Sequence, residues 1–184
     1  MRRLKTEQFS ETYTVREIRE ADIGAVCDFC RTNPLYYEVI GEQCAAPEDI
    51  RRDMQALPQG KEKKDKYYTG FFEDGHLIAM LDLIDGYPDE KTAFIGFFMV
   101  DGTEAGCGIG TRIIDGLCDY LGRAGFEKVR LAYNRDNPQA KHFWVKNAFR
   151  AIKETDHPYG RMIVAERSLQ APEESRSVER GAEG

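Results

Sequence analysis

The run Gly106-Cys107-Gly108-Ile109-Gly110-Thr111 is where this chain has residues suited to chemistry. It follows an apolar stretch, Phe94 to Val100, and opens a segment whose Ile113, Leu117 and Leu121 share one helical face. A strand that feeds glycines and then a helix builds an anion site. Glycine lets the backbone turn tightly and come close to a ligand, and the first N–H groups of a helix have no internal partner. Those donors, with the positive end of the helix dipole, suit a phosphate or diphosphate. Two familiar phosphate loops are excluded. A P-loop ends in Gly-Lys-Ser/Thr, and no lysine follows Gly110. A dinucleotide fingerprint counted from Gly106 and Gly108 needs a third glycine where Thr111 stands, and it opens a βαβ unit near the start of a domain.

Other reactive side chains make weaker patterns. Cys27 and Cys30 share helical spacing with Ile23 and Val26, as buried thiols do, and five cysteines fit reduced thiols. His76, His142 and His157 are scattered singly, so no metal site is expected. A net charge of −6 argues against a nucleic-acid binder. No apolar run approaches a membrane span, and Met1 to Lys5 lacks the apolar core of a signal peptide, so the expectation is a cytoplasmic protein with no membrane partner.

The 184 residues suit one domain. Thr12 to Ile18 reads as a strand and Asp22 to Asn33 as a short helix. Leu35 to Gly41 reads as an irregular aromatic segment, and a second helix runs from Ala46-Pro47 to Leu57. Lys61 to Lys66 reads as a solvated connection. A meander follows: Tyr67 to Phe72, a turn at Glu73 to His76, Leu77 to Ile84, and Thr92 to Val100, with Gly96 marking a bulge or a close backbone approach. The helix from Ile109 stops at Gly125; Val129 to Tyr133 is a strand; Asn137-Pro138 starts a helix that closes at Asn147. Phe149 to Lys153 and Arg161 to Glu166 complete the pattern. Residues 1–168 form the expected domain, and 169–184 an expected disordered polar tail.

On this order, and on two motifs within Phe94 to Phe149, the chain resembles the GNAT N-acetyltransferase superfamily. The family's diphosphate loop is Arg/Gln-x-x-Gly-x-Gly/Ala; Gly108 and Gly110 match, and Ala105 stands at the basic or amide position. The family's Asn-x-x-Ala-x-x-x-Tyr-x-x-x-Gly-Phe is met by Asn137, Ala140 and Phe149, with Trp144 for the tyrosine and Ala148 for the glycine. The resemblance implies an α/β (α+β) fold: a mixed, mostly antiparallel twisted sheet of about seven strands flanked by about four helices.

It also implies transfer of an acetyl group from acetyl-CoA to a primary amine of a small molecule or peptide, by direct attack in a ternary complex. The pantetheine arm would pair with the strand edge at Phe98, Met99 and Val100, opened by Gly96, and the diphosphate would sit on Ala105, Gly106, Cys107, Gly108, Ile109, Gly110 and Thr111. Asn137 would touch the arm, cap its helix, or do both. Trp144 would pack beside the pantetheine or the thioester. The family's tyrosine often protonates the leaving thiolate, which an indole cannot do; a thiol's pKa of about 8.5 lets it leave unassisted. Backbone donors near Val100 and the positioning of both reactants would supply most of the rate. Asp82 is the candidate base, with Asp85, Glu38, Tyr36 and Tyr37 as acceptor-site candidates. Because Asp82 and Asp85 are an odd number apart, only one should face the acceptor. A homodimer is allowed for. The substitutions at Ala105 and Trp144 keep open a non-catalytic acyl-CoA-binding sensor, and the glycine loop keeps open a nucleotide-binding regulator.

Overall fold

The computed structural model describes residues 3–170. In chain order the elements are β1 (Thr14–Glu17), α1 (Ile23–Arg31), α2 (Pro34–Ile40), α3 (Pro47–Gln55), β2 (Lys66–Glu73), β3 (His76–Ile84), β4 (Thr92–Val100), α4 (Ile109–Arg123), β5 (Lys128–Asn134), α5 (Pro138–Lys146), β6 (Arg150–His157) and β7 (Gly160–Ser168). The strands form one sheet in the order β1-β2-β3-β4-β5-β7-β6. Every neighbouring pair is antiparallel except β4 and β5, which α4 joins as a crossover and which run parallel.

The central strands are apolar on both faces because helices cover both. On one face α4 buries Ile113, Ile114, Leu117 and Leu121 at 1 % exposure or less, each contributing about 2 kcal/mol of apolar burial. Gly125 follows with φ +92°, the left-handed turn a helix end uses. On the other face α1, α2 and α3 cover Tyr68, Met80 and Met99. Cys27 and Cys30 lie in that second core, and burial pushes the Cys30 thiol up to about 11.

The sheet opens in its middle. β4 pairs with β5 only over Thr92–Ile95 against Lys128–Leu131. Past Ile95 the ladder stops, while β5 continues pairing with β7 as far as Asn134. The β3–β4 register shifts between Asp82 and Leu83, opposite Gly96, so the expected bulge sits at the root of the split.

Three expectations need correction. Leu35 to Gly41 is not irregular. Pro34 suits the first helical position and Gly41 takes φ +72°, so a fifth helix of seven residues, α2, forms there; its adjacent aromatics hide the helical period. Lys66 is not solvated: it begins β2 with its side chain 3 % exposed. β6 and β7 are also longer than expected, because β6 is exposed at every residue and carries no alternation to read. Of the expected tail at 169–184, Leu169 is tied to the domain, its N–H donating to the Glu127 carbonyl at 2.8 Å, and residues 171–184 lie outside the described residues.

Candidate active site

The split between β4 and β5 opens a cleft of about 550 Å³. Its floor is the free edge of β4. The Asp101 N–H donates to the Ile78 carbonyl at 2.9 Å, and bonded pairs alternate with unbonded ones in an antiparallel ladder. With Met80 opposite Met99 and Leu81 opposite Phe98, that alternation turns both the N–H and the C=O of Phe98 and of Val100 away from β3, toward the cleft. Met99 also lines the cleft, while its backbone serves β3.

The glycine loop forms one end. Gly106 and Gly108 take φ +84° and +78°, and a Cβ added to either would meet nothing within 4 Å. The first regular bond of α4 runs from Arg112 N–H to the Gly108 carbonyl at 3.0 Å, and no side chain caps this helix. The N–H groups from Gly108 to Thr111 thus stand ahead of the helical ladder. Ala105, Ile109, Gly110 and Thr111 line the cleft as well; Cys107 is exposed beside it. Gly110 is needed for packing, since a Cβ there would meet the Phe143 ring at 2.8 Å.

The remaining wall is α5. Asn137 accepts from the Ala140 N–H at 2.9 Å through Oδ1, so the cap is made, and the residue also lines the cleft. Trp144 is buried against Phe143, Phe149 and Phe98, with ring centroids 4.8, 5.1 and 6.0 Å away.

The comparisons with known proteins agree with this geometry. The family model described as "Acetyltransferase (GNAT) family" matches residues 30–149. The chain belongs to the GNAT acetyltransferase family. Among solved structures it is similar to an acetyltransferase from Thermus thermophilus (TM-score 0.73, 21% identity, covering 91% of this chain and 99% of that one). It is also similar to AAC(6')-Ib in complex with ribostamycin and coenzyme A (0.67, 14%, 94% and 100%). The ribosomal-protein-S18-alanine N-acetyltransferase from Escherichia coli is a third (0.62, 12%, 88% and 96%). No curated protein gives a significant match.

In this GNAT acetyltransferase Tyr36 is the one expected acceptor residue that lines the cleft, on its α2 side. Tyr36 lines the cleft and packs edge-on against Phe97 at 5.8 Å, and burial, then Asp53, pushes its hydroxyl up to about 12. Asp82 sits directly opposite Phe97. Its Oδ2 accepts from Lys66 Nζ at 2.6 Å, and the same ammonium donates to the Ala56 carbonyl at 2.9 Å. Burial raises the Asp82 carboxyl above the ordinary carboxylate range while the Lys66 charge opposes the rise. Asp82 Oδ1 is buried with no hydrogen-bond partner among the described residues.

Asp85 lies elsewhere. It follows the end of β3 that faces Phe94, and its charge acts on Tyr67 in the core under α4. Tyr37 is buried with its hydroxyl engaged by Cys30, and Glu38 is exposed. The structure therefore brings Tyr36 to the cleft and Asp82 against β4 just behind the cleft lining, and leaves Asp85, Tyr37 and Glu38 away from both.

Sequence reasoning missed Lys66, Tyr159 and the α1–α2 junction. Tyr159, in the β6–β7 turn, reaches Glu42 after α2, and Asn134 Nδ2 holds its carbonyl at 2.8 Å. At the junction, Thr32 Oγ1 accepts from the Gly102 N–H at 2.9 Å. A Cβ on Gly102 would fall 1.9 Å from the Thr32 carbonyl oxygen, so helix and loop touch backbone to backbone. Gly102→Ala should lower stability by about 2 kcal/mol, the scale of an overpacked site. Urea denaturation reads this, and a wild-type midpoint would show that the junction yields freely.

Proposed function

We propose that this protein is an acetyl-CoA-dependent N-acetyltransferase acting on a primary amine of a small molecule or peptide, by direct attack within a ternary complex. One observation carries the reading: the free edge of β4 and, across the loop 101–108, the start of α4 that no side chain caps line one cleft. That edge suits an extended amide arm, and the helix start suits its diphosphate. When bound, acetyl-CoA supplies the thioester that the amine attacks. The neighbour captured with ribostamycin and coenzyme A supports the same ligand class.

The chain's own groups divide the work. The donor nearest the root of the split is the Phe98 N–H, two residues deeper than Val100, and it is placed to hold a carbonyl oxygen. Tyr36 and the α5 aromatics exclude water from the middle of the cleft. Asp82, behind the cleft lining, takes the amine proton on its buried Oδ1 through water, while Lys66 holds Oδ2. Trp144 offers a wall but no acid.

The decisive experiment is calorimetry with acetyl-CoA, followed by mass detection of products from an amine panel. Binding with no product across the panel would overturn the enzymatic reading in favour of a sensor, and no binding at all would overturn both. Trp144 tests the wall. Trp144→Phe should keep turnover within about threefold, because it keeps the aromatic surface. Trp144→Ala should lose acetyl-CoA affinity and also cost the fold about 3 kcal/mol. A collapse of turnover in the phenylalanine variant with intact affinity would instead assign a role to the indole N–H.

A further inference from the structure

Asn33-Pro34 and Asn137-Pro138 look alike as helix starts, yet only the second caps its helix through the asparagine side chain. Asn33 spends its amide on other groups. Its Nδ2 donates to the Val100 carbonyl at 3.0 Å and to Thr32 Oγ1, also at 3.0 Å. The orientation of that amide follows from its partners. One is a carbonyl, and the other is a hydroxyl that itself donates to the Phe29 carbonyl at 2.8 Å, so both need a donor.

This contact bears on an ambiguity built into β4. The open edge carries two equivalent carbonyls, at Phe98 and Val100, two residues apart. An extended arm that donates amide N–H groups would pair with either one. Slipping from one to the other moves its reactive end by about 6.8 Å, two strand residues. Strand register is weakly specified where side chains do not fix it. Asn33 breaks the equivalence, because it stands in the cleft, already takes one of the two lone pairs of the outer carbonyl, and leaves that oxygen a weaker and more crowded acceptor than the Phe98 carbonyl. The Phe98 pair and the Val100 N–H stay fully open on the edge.

We propose that Asn33 is a positioning residue that sets the register of the acyl-donor arm on β4 by withdrawing the Val100 carbonyl from the open edge. The inference rests on the acetyl-CoA reading above. It locates a register control in the segment joining α1 to α2, outside both recognisable motifs.

The test uses the whole chain with Asn33→Ala and the isosteric Asn33→Asp. Trp144 is the only tryptophan and lines the cleft, so its emission reports what lies beside it. In both variants acetyl-CoA should bind by calorimetry within about threefold of wild type, since a slipped arm makes as many backbone pairs. The Trp144 response to acetyl-CoA should shrink, and kcat should fall by about tenfold or more as the reactive end is misplaced. In Asn33→Asp the carboxyl can donate to the Val100 oxygen only when protonated, so its kcat relative to wild type should climb as pH falls through the carboxylate range.

A wild-type Trp144 response and kcat in both variants would overturn the proposal. So would affinity and kcat falling in parallel, a flat pH ratio in Asn33→Asp, or loss of folding in both variants, which would assign the contact to the fold alone. Failure of the wild-type protein to bind acetyl-CoA would strike the functional reading itself and is seen separately, before any variant is made.

Discussion

Gly108→Val is expected to weaken acetyl-CoA binding by at least about 100-fold, roughly 2.7 kcal/mol. Two effects act in the same direction. Gly108 has φ +78°, a conformation that a β-branched residue enters only with strain. Its missing Cβ also points into open space at the start of α4, so an isopropyl group would crowd the diphosphate proposed for that place. Because that space holds no protein atom, the fold should lose only the local strain, about 1–3 kcal/mol. Gly108→Ala carries much of the strain with less bulk and should fall between valine and wild type. Calorimetry with acetyl-CoA, alongside a denaturation curve for each variant, separates the terms. Unchanged affinity in the valine variant would remove the loop from the site.

The glycine loop and the split strand proposed for the cofactor were legible in the sequence for a physical reason. Glycines at set places are visible: Gly108 takes a positive φ ahead of α4, Gly110 lets the helix start approach a neighbouring ring, and Gly96 marks the bulge at the root of the split between β4 and β5. The turn residues and apolar runs of the meander and the α4 stripe placed the sheet for similar reasons. The acceptor half was less legible because it depends on long-range pairing. Lys66 sits in a charge run and looks solvated until β2 brings it to Asp82, sixteen residues away in sequence. Asn33 looks like a helix cap, and nothing local announces that its amide reaches Val100 across 67 residues. α2 was missed because seven residues with adjacent tyrosines give no clear helical period.

Asp82→Asn should lower kcat by about 100-fold with acetyl-CoA affinity nearly unchanged, the loss typical for a positioned base. The geometry confines the effect to the amine. Asp82 lies opposite Phe97, and its carboxylate reaches across Gly96, where an added Cβ would meet Oδ2 at 3.0 Å. Oδ2 is occupied by Lys66, which leaves the buried, unpartnered Oδ1 to receive a proton. Burial, the larger influence, holds this carboxyl above the usual range, so it gains proton affinity that an exposed aspartate lacks.

The sign of the pH effect follows. Wild-type kcat should rise with pH as Asp82 ionises, with the midpoint of that limb above the ordinary carboxylate value; in the asparagine variant the limb should vanish and the residual rate should stay low. The same raised value makes the folded state bind its proton more tightly than the unfolded chain. This group's contribution to stability is therefore greatest at low pH and is lost as pH rises from the unfolded carboxylate value through the folded one. Removing the carboxylate also leaves the Lys66 ammonium without its counter-charge, at a cost of about 3 kcal/mol that the asparagine carbonyl offsets only in part. Thermal unfolding of the variant, measured with and without acetyl-CoA, isolates that cost from catalysis. A folded Asp82→Asn protein with wild-type rates across the pH range, on an amine that the wild type acetylates, would take Asp82 out of the mechanism and leave the Lys66 pair a structural one.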